Sequence, residues 1–273
     1  MPPTILHSPL PLTSDCHHYT DISQVPWDIQ KYYHQRHSLF HLYSSSPSSP
    51  SIHLTDAAWF GVTPEPVALQ IAHDLDPPSS PTSSPTTIID IFAGAGGNAI
   101  AFALSGKWSR VVAIERDAAT LACAQNNARV YGVYDEVVWI LGDSFEVLAL
   151  LRAQGRGKGG VELSVLLEDM AAESTVVFAS PPWGGVSYAD RDVFDLSAME
   201  PYNLAEIHEA CRPMRHVLFL PRTSDIRQVA ALVPKGKGEK VDVVQYCMHG
   251  ASKGMVAYIP AAGEQDAEET SGS

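Results

Sequence analysis

Ile88-Ile89-Asp90-Ile91-Phe92-Ala93-Gly94-Ala95-Gly96-Gly97-Asn98 is the stretch that decides the fold. The apolar run over 88–92 has the length of a strand buried on both faces, and the glycine turn after it opens a helix over 98–104. The same alternation repeats outward from there. Further strands are expected over 110–114, 137–141, 176–179, 217–220, 241–246 and 255–259, with helices over 117–130 and 145–153. Strands alternating with helices imply an α/β fold, a doubly wound and mostly parallel sheet of seven strands with its ligand at the carboxyl ends. The last two strands, joined through 250–254, suit an antiparallel hairpin at one edge.

Around this domain, assigned to 87–260, the chain changes character. Residues 1–20 lack apolar periodicity and read as a disordered tail, and 21–76 as an N-terminal helical extension. Within it, Pro26 suits a first helical position, and Ile29, Tyr32, Tyr33, Arg36, Leu39, Phe40 and Tyr43 recur at three- and four-residue steps. That is one amphipathic helix in need of a partner surface. A second helical stretch over 56–75 carries a start signal at Thr63-Pro64-Glu65-Pro66, with Thr63 as the capping hydroxyl. The Ser/Pro insert at 44–51, the linker at 77–86 and the acidic tail at 261–273 cannot pack a core.

Composition narrows the possible functions. A chain of 273 residues with 45% hydrophobic content can bury a full core, while a net charge of −13 argues against coating nucleic acid by general phosphate attraction. Cys16, Cys123, Cys211 and Cys247 show no paired short spacing, so neither a zinc ribbon nor a disulfide framework is expected. No apolar run is long enough for a bilayer, which points to a soluble intracellular protein. His34, His37 and His41 share a helical face but have no second set of ligands, so no metal is expected.

The glycine turn reads Gly-Ala-Gly-Gly rather than a spaced GxGxxG, and acids stand at three successive strand ends, Asp90, Glu115 and Asp143. Acids beside the turn repel a pyrophosphate and suit a ligand carrying ammonium and sulfonium charges. S-adenosylmethionine is the cofactor this implies, with Gly94, Gly96 and Asn98 at the turn, Glu115 for the ribose hydroxyls and Asp143 for the adenine amine. The acceptor side is Ser180-Pro181-Pro182-Trp183-Gly184-Gly185, directly after an apolar strand. The prolines fix φ and withdraw backbone donors, which leaves carbonyl acceptors beside a stacking face. This is a site for a flat ring bearing an exocyclic amine.

With these segments in hand, the chain resembles the trimethylguanosine synthases, class I methyltransferases that act on the guanine amine of a 7-methylguanosine RNA cap. The resemblance covers about residues 27–260. It includes Lys31-Tyr32-Tyr33-His34-Gln35-Arg36, Trp59-Phe60-Gly61-Val62-Thr63-Pro64-Glu65, Gln125-Asn126-Asn127-Ala128 and Leu220-Pro221-Arg222. It implies a class I methyltransferase-type fold and successive methylation of capped small nuclear and nucleolar RNAs to 2,2,7-trimethylguanosine. A nuclear location, nucleolar or Cajal-body in type and extending to the cytoplasm, and action as a monomer go with it.

Carried over residue by residue, the resemblance puts Thr63 and Glu65 over the cofactor beside Asp90, Glu115 and Asp143. Trp183 becomes the stacking residue, Ser180 and Pro181 neighbours of the reacting amine, and Asn127 and Tyr188 substrate contacts, with Lys31 and Arg222 on the cap phosphates. Ala93, Glu115 and Val186-Ser187 stand where the family commonly has cysteine, aspartate and Pro-Asp. Two rival readings share these motifs. One is another amine methyltransferase, acting on adenine in DNA or RNA or on a protein amide; the other is a catalytically silent cap-binding protein.

Overall fold

The computed structural model describes residues 2–44, 51–78, 85–153, 161–168, 170–183, 192–233, 240–248 and 250–261. The acidic tail beyond 261, the Ser/Pro stretches 45–50 and 79–84, and Tyr188, Lys235 and Lys237 lie outside them. Strands β1 (Thr4–Leu6), β2 (Thr87–Asp90), β3 (Arg110–Glu115), β4 (Val137–Leu141), β5 (Thr175–Ala179), β6 (Arg215–Leu220), β7 (Asp242–Met248) and β8 (Ala251–Ile259) form one sheet in the order β1-β4-β3-β2-β5-β6-β8-β7. The five from β4 to β6 run parallel, while β1, β7 and β8 pair antiparallel at the two ends.

Alternate strand residues feed two cores, because successive side chains leave a strand on opposite faces. Ile88, Val111, Ala113, Val176 and Phe178 pack with α4 (Glu65–Asp74), α5 (Gly97–Ser105) and α6 (Ala118–Val130). Ile89, Val112, Ile114, Val177 and Leu218 face α7 (Ser144–Arg152), α8 (Val161–Glu168), α9 (Leu204–Cys211) and α10 (Ile226–Ala230). Central strands covered on both faces have no polar side to show, which is why β2 and β5 are buried at every residue.

The extension is helical, but in shorter pieces than the periodicity predicts. α1 (Gln30–Tyr33) and α2 (Arg36–Leu39) replace the single helix, and α3 (Ala58–Gly61) is separate from α4. Tyr33 and Tyr43 both close on the buried ring of Trp59, with centroids 6.1 and 5.9 Å away, and a straight helix would set residues ten apart about 15 Å from each other along its axis. Arg36 sits in the apolar stripe because its guanidinium lies 4.3 Å from the Tyr33 ring centroid, a cation–π contact. The break between α3 and α4 falls where Pro64 forces Thr63 toward an extended backbone. Thr63 therefore does not cap α4; Pro64 holds that position and makes no side-chain cap bond.

The N-terminal residues are not a disordered tail. Thr4, Ile5 and Leu6 pair with Leu141, Ile140 and Trp139, which makes eight strands rather than seven. Farther along, the Leu10 N–H donates to Gln125 Oε1 at 2.8 Å and the Cys16 thiol to the Ala119 carbonyl at 3.4 Å. Without this arm β4 would be an open edge with unpaired backbone groups. Gly142 admits it, since a Cβ there would stand 2.7 Å from Pro3 Cα. Gly142→Ala should push the arm off the sheet, lower stability by about 1–3 kcal/mol in denaturant melts and expose residues 2–10 to proteolysis. Unchanged stability and protection would show that the close contact is not needed.

Candidate active site

Strands β2 and β5 pair side by side, Asp90 opposite Phe178, but the chain leaves β2 toward β3 and β5 toward β6. Connections that diverge in this way open a crevice at the carboxyl ends of the two strands. Asp90 stands at the end of β2, and Ser180-Pro181-Pro182-Trp183 follows the end of β5. The acids and the aromatic turn recognised in the sequence thus meet at one place.

On the β2 side, Gly96 takes φ +91°, and a Cβ there would lie 3.2 Å from Ala124 Cβ, so both the turn and the approach of α6 require glycine. Gly94, at φ +52°, donates its N–H to Glu115 Oε2 at 3.1 Å. The other Glu115 oxygen accepts from the Arg116 and Asp117 amides, both at 2.9 Å. Asp90 is completely buried; one oxygen accepts from the Phe92 N–H at 3.3 Å and Oδ2 has no partner. Burial, with repulsion from Glu115 adding to it, pushes the Asp90 carboxyl up to about 7. Burial likewise raises Glu115 above the usual carboxylate range. An unpaired carboxylate oxygen beside a second acid invites cationic groups and opposes phosphate, so this donor set fits the charges of S-adenosylmethionine.

The extension is tied onto this turn. Asn98 Nδ2 donates to Thr63 Oγ1 at 3.1 Å, while Val62 and the Thr63 carbonyl pack over Gly97. Thr63 is therefore beside the cofactor turn. Glu65 stands with Gly97, Phe40 and Tyr131 around one small pocket. Its carboxylate accepts from the His41 N–H and the Tyr131 hydroxyl (3.0 Å) and pairs with His41 Nδ1 at 2.7 Å, clasping the extension to the end of α6.

Asn127, which the resemblance makes a substrate contact, is held by the protein's own backbone. It is fully buried, donates to the His53 and Ala95 carbonyls at 2.9 and 3.0 Å, and accepts from the His53 N–H at 2.9 Å. With both amide hydrogens used and its oxygen engaged, Asn127 brackets the extension to the glycine turn. Asp143 caps α7 through Oδ1, which accepts from the Phe145 and Glu146 amides at 2.9 and 3.2 Å. Its Oδ2 accepts from the Tyr202 hydroxyl at 3.0 Å.

On the β5 side, Pro181 is buried while Ser180 and Trp183 are half-buried. Trp183 rests on Phe219 of β6, centroids 5.7 Å apart and planes at 39°. Gly254 on β8 makes room for that phenyl ring, because a Cβ at 254 would lie 2.4 Å from Phe219 Cζ. Phe219, Gly254 and Tyr202 carry no sequence motif, and only packing reveals them. Lys31 and Arg222 are exposed, as phosphate-holding residues must be, and Gly184, Gly185 and Tyr188 lie outside the described residues.

Residues 85–262 match the family described as RNA cap guanine-N2 methyltransferase. A trimethylguanosine synthase of Schizosaccharomyces pombe is 32% identical over 88% of this chain and 89% of its own length. Its counterpart in Saccharomyces cerevisiae is 30% identical over 88% of this chain and 73% of its own. Among solved structures, a precorrin-8w decarboxylase of Methanobacterium thermoautotrophicum aligns over 81% of this chain and 96% of its own, at 17% identity and a TM-score of 0.43.

The raised Asp90 carboxyl sets a pH dependence. A protonated Asp90 cannot hold a cation, so affinity for S-adenosylmethionine should fall as pH drops below about 7, by up to roughly tenfold per unit. Asp90→Asn should weaken binding at pH 8 and flatten this profile in calorimetric titrations. The folded-state value lies above the unfolded one, so ionised Asp90 costs stability, and that cost grows as pH rises from about 4 toward 7. Asp90→Asn should accordingly melt higher than the parent at pH 8, with the difference shrinking toward pH 4.

Proposed function

The chain belongs to the RNA cap guanine-N2 methyltransferases, and from that premise we propose that Ser180, Pro181 and Trp183 seat the 7-methylguanine while Asp90, Glu115 and Asp143 hold the methyl donor. The enzyme uses S-adenosylmethionine to methylate the exocyclic amine of guanine in capped RNA. The observation that carries the residue assignment is the meeting of buried Asp90 and the Pro-Pro-Trp turn at the carboxyl ends of β2 and β5.

The cofactor supplies an electrophilic methyl group; this chain supplies geometry. Guanine's amine is a weak nucleophile because its lone pair is drawn into the ring. Carbonyl acceptors at Ser180 and Pro181 orient the amine and favour the pyramidal form whose lone pair points at the methyl. Holding the two reactants in line is worth roughly 7–11 kcal/mol in favourable cases, so no strong base is required. After transfer the amine is cationic and acidic, and water or a nearby acceptor takes its proton.

Selectivity for a methylated cap follows from charge. Methylation on the imidazole ring makes guanine cationic, and stacking a cation on an indole face adds about 0.5–2 kcal/mol over a neutral ring. Lys31 and Arg222, exposed on α1 and just after β6, supply charge for the cap phosphates. A local basic grip of this kind is compatible with the net charge of −13, whereas a broad RNA-coating surface is not. Trimethylguanosine, the product for which both relatives are named, needs two additions to one nitrogen, and the same proposal covers both. Nuclear residence and action as a monomer belong to the same proposal, the first supported by the family's substrate.

Trp183→Ala should abolish methylation of 7-methylguanosine triphosphate while leaving S-adenosylhomocysteine binding within about twofold, since only the stacking face is lost. Gly254→Ala should act on the same platform from behind, raising the KM for the capped nucleotide several-fold through a displaced Phe219 without changing cofactor affinity. Full activity in Trp183→Ala would mean that the base sits elsewhere.

A further inference from the structure

Beyond the Pro-Pro-Trp turn the chain returns to the crevice with Tyr202, two residues ahead of α9. Its ring stacks on Phe145, with centroids 4.2 Å apart and planes at 25°, and Phe92 lies 6.0 Å away on the same aromatic cluster. Its hydroxyl donates to Asp143 Oδ2 at 3.0 Å, and the Arg116 side chain reaches toward the same hydroxyl. Phe92, Arg116 and Phe145 follow β2, β3 and β4, so Tyr202 touches the carboxyl ends of three neighbouring strands. Burial first, and the Asp143 carboxylate second, raise the phenol above its ordinary range, so at neutral pH it is a hydrogen-bond donor.

Asp143 has only one oxygen to offer. Oδ1 is engaged by the Phe145 and Glu146 amides as the cap of α7, which leaves Oδ2, and Tyr202 holds it. A flat ring on Phe145 with a donor on Asp143 is what an adenine with its exocyclic amine would present at this strand end. We propose that Tyr202 is a placeholder for the adenine of the cofactor: it occupies the stacking face and the acceptor together and must be displaced when the cofactor binds. The inference rests on the reading that Asp143 receives the adenine amine.

Two consequences follow from displacement. Cofactor affinity is reduced by whatever stabilises Tyr202 in place, and a purine without a donor at that edge cannot replace the hydrogen bond it breaks. The displacement cost is the same for either ligand, so Tyr202 sets overall affinity while Asp143 sets the preference for an amine-bearing purine. It acts through Asp143 and Phe145 and touches no reacting atom, which makes it a positioning residue.

Calorimetric titration of S-adenosylhomocysteine and of its hypoxanthine counterpart, S-inosylhomocysteine, tests this directly. Tyr202→Phe keeps the stack and frees Asp143, so S-adenosylhomocysteine and the hypoxanthine compound should both bind about 3- to 10-fold tighter, with the preference between them unchanged. Tyr202→Ala should tighten binding as well. Affinity that is unchanged or weaker in both variants overturns the proposal, because Tyr202 would then be inert or part of the bound site. Asp143→Asn, made in the Tyr202→Phe background so that no placeholder bond is altered, retains a capping oxygen for α7 and separates the two levels of inference. If it fails to weaken S-adenosylhomocysteine, the adenine placement and the placeholder fall together. If it weakens binding while Tyr202→Phe does not strengthen it, the placeholder alone falls.

Discussion

The rest of the catalytic face depends on β2 and β5 being hydrogen-bonded neighbours whose connections run away from each other. That divergence leaves the ends of two fully buried strands open to a ligand, which a sheet wound in one direction would cover. A glycine turn and an acid at one strand end, and a proline-stiffened aromatic at the other, can then approach two reactants from opposite sides. Asp90 shows what this costs. A completely buried carboxylate with an unpaired oxygen is unfavourable in the free protein, and a cationic ligand would satisfy it.

The N-terminal extension is less an added domain than the second wall of the glycine turn. The contacts that join them include three: Asn98 to Thr63, Asn127 to the backbone of His53 and to Ala95, and Glu65 to His41 and Tyr131. All three join the extension to the turn, α5 or α6 rather than to the far side of the sheet. Displacing the extension would therefore loosen the turn that receives the cofactor, and the aromatic nest around Trp59 is what keeps it rigid. The arm before it works in the same sense at the other end of the crevice, where Pro3 packs on Gly142, next to Asp143.

The sequence carries the parts of this arrangement that local chemistry encodes. The central strands are continuous apolar runs, the turn needs glycine, and acids at successive strand ends stand out against an apolar background, so fold class and cofactor are both legible. What escapes is set by contacts distant in sequence. β1 is three residues long, too short for any periodicity, and forms only because β4 offers an edge and Gly142 offers room. Glu65 and Asn127 are read as ligand contacts from the family resemblance alone. Their partners within the protein, backbone and side chains from 24 to 74 residues away, are visible only in the fold. Tyr202 and Phe219 are ordinary aromatics until the fold sets them on Phe145 and Trp183.

The central claim is that two reactants meet in one crevice, a cationic methyl donor on buried acids and a cationic guanine on Trp183. Incubation with methyl-labelled S-adenosylmethionine and either 7-methylguanosine triphosphate or GTP, followed by identification of the labelled atom, tests it most directly. Label on the exocyclic nitrogen of the 7-methylguanine, with GTP used at least several-fold less efficiently, is the expected result. Equal use of the two nucleotides, or label on any other atom, would contradict it.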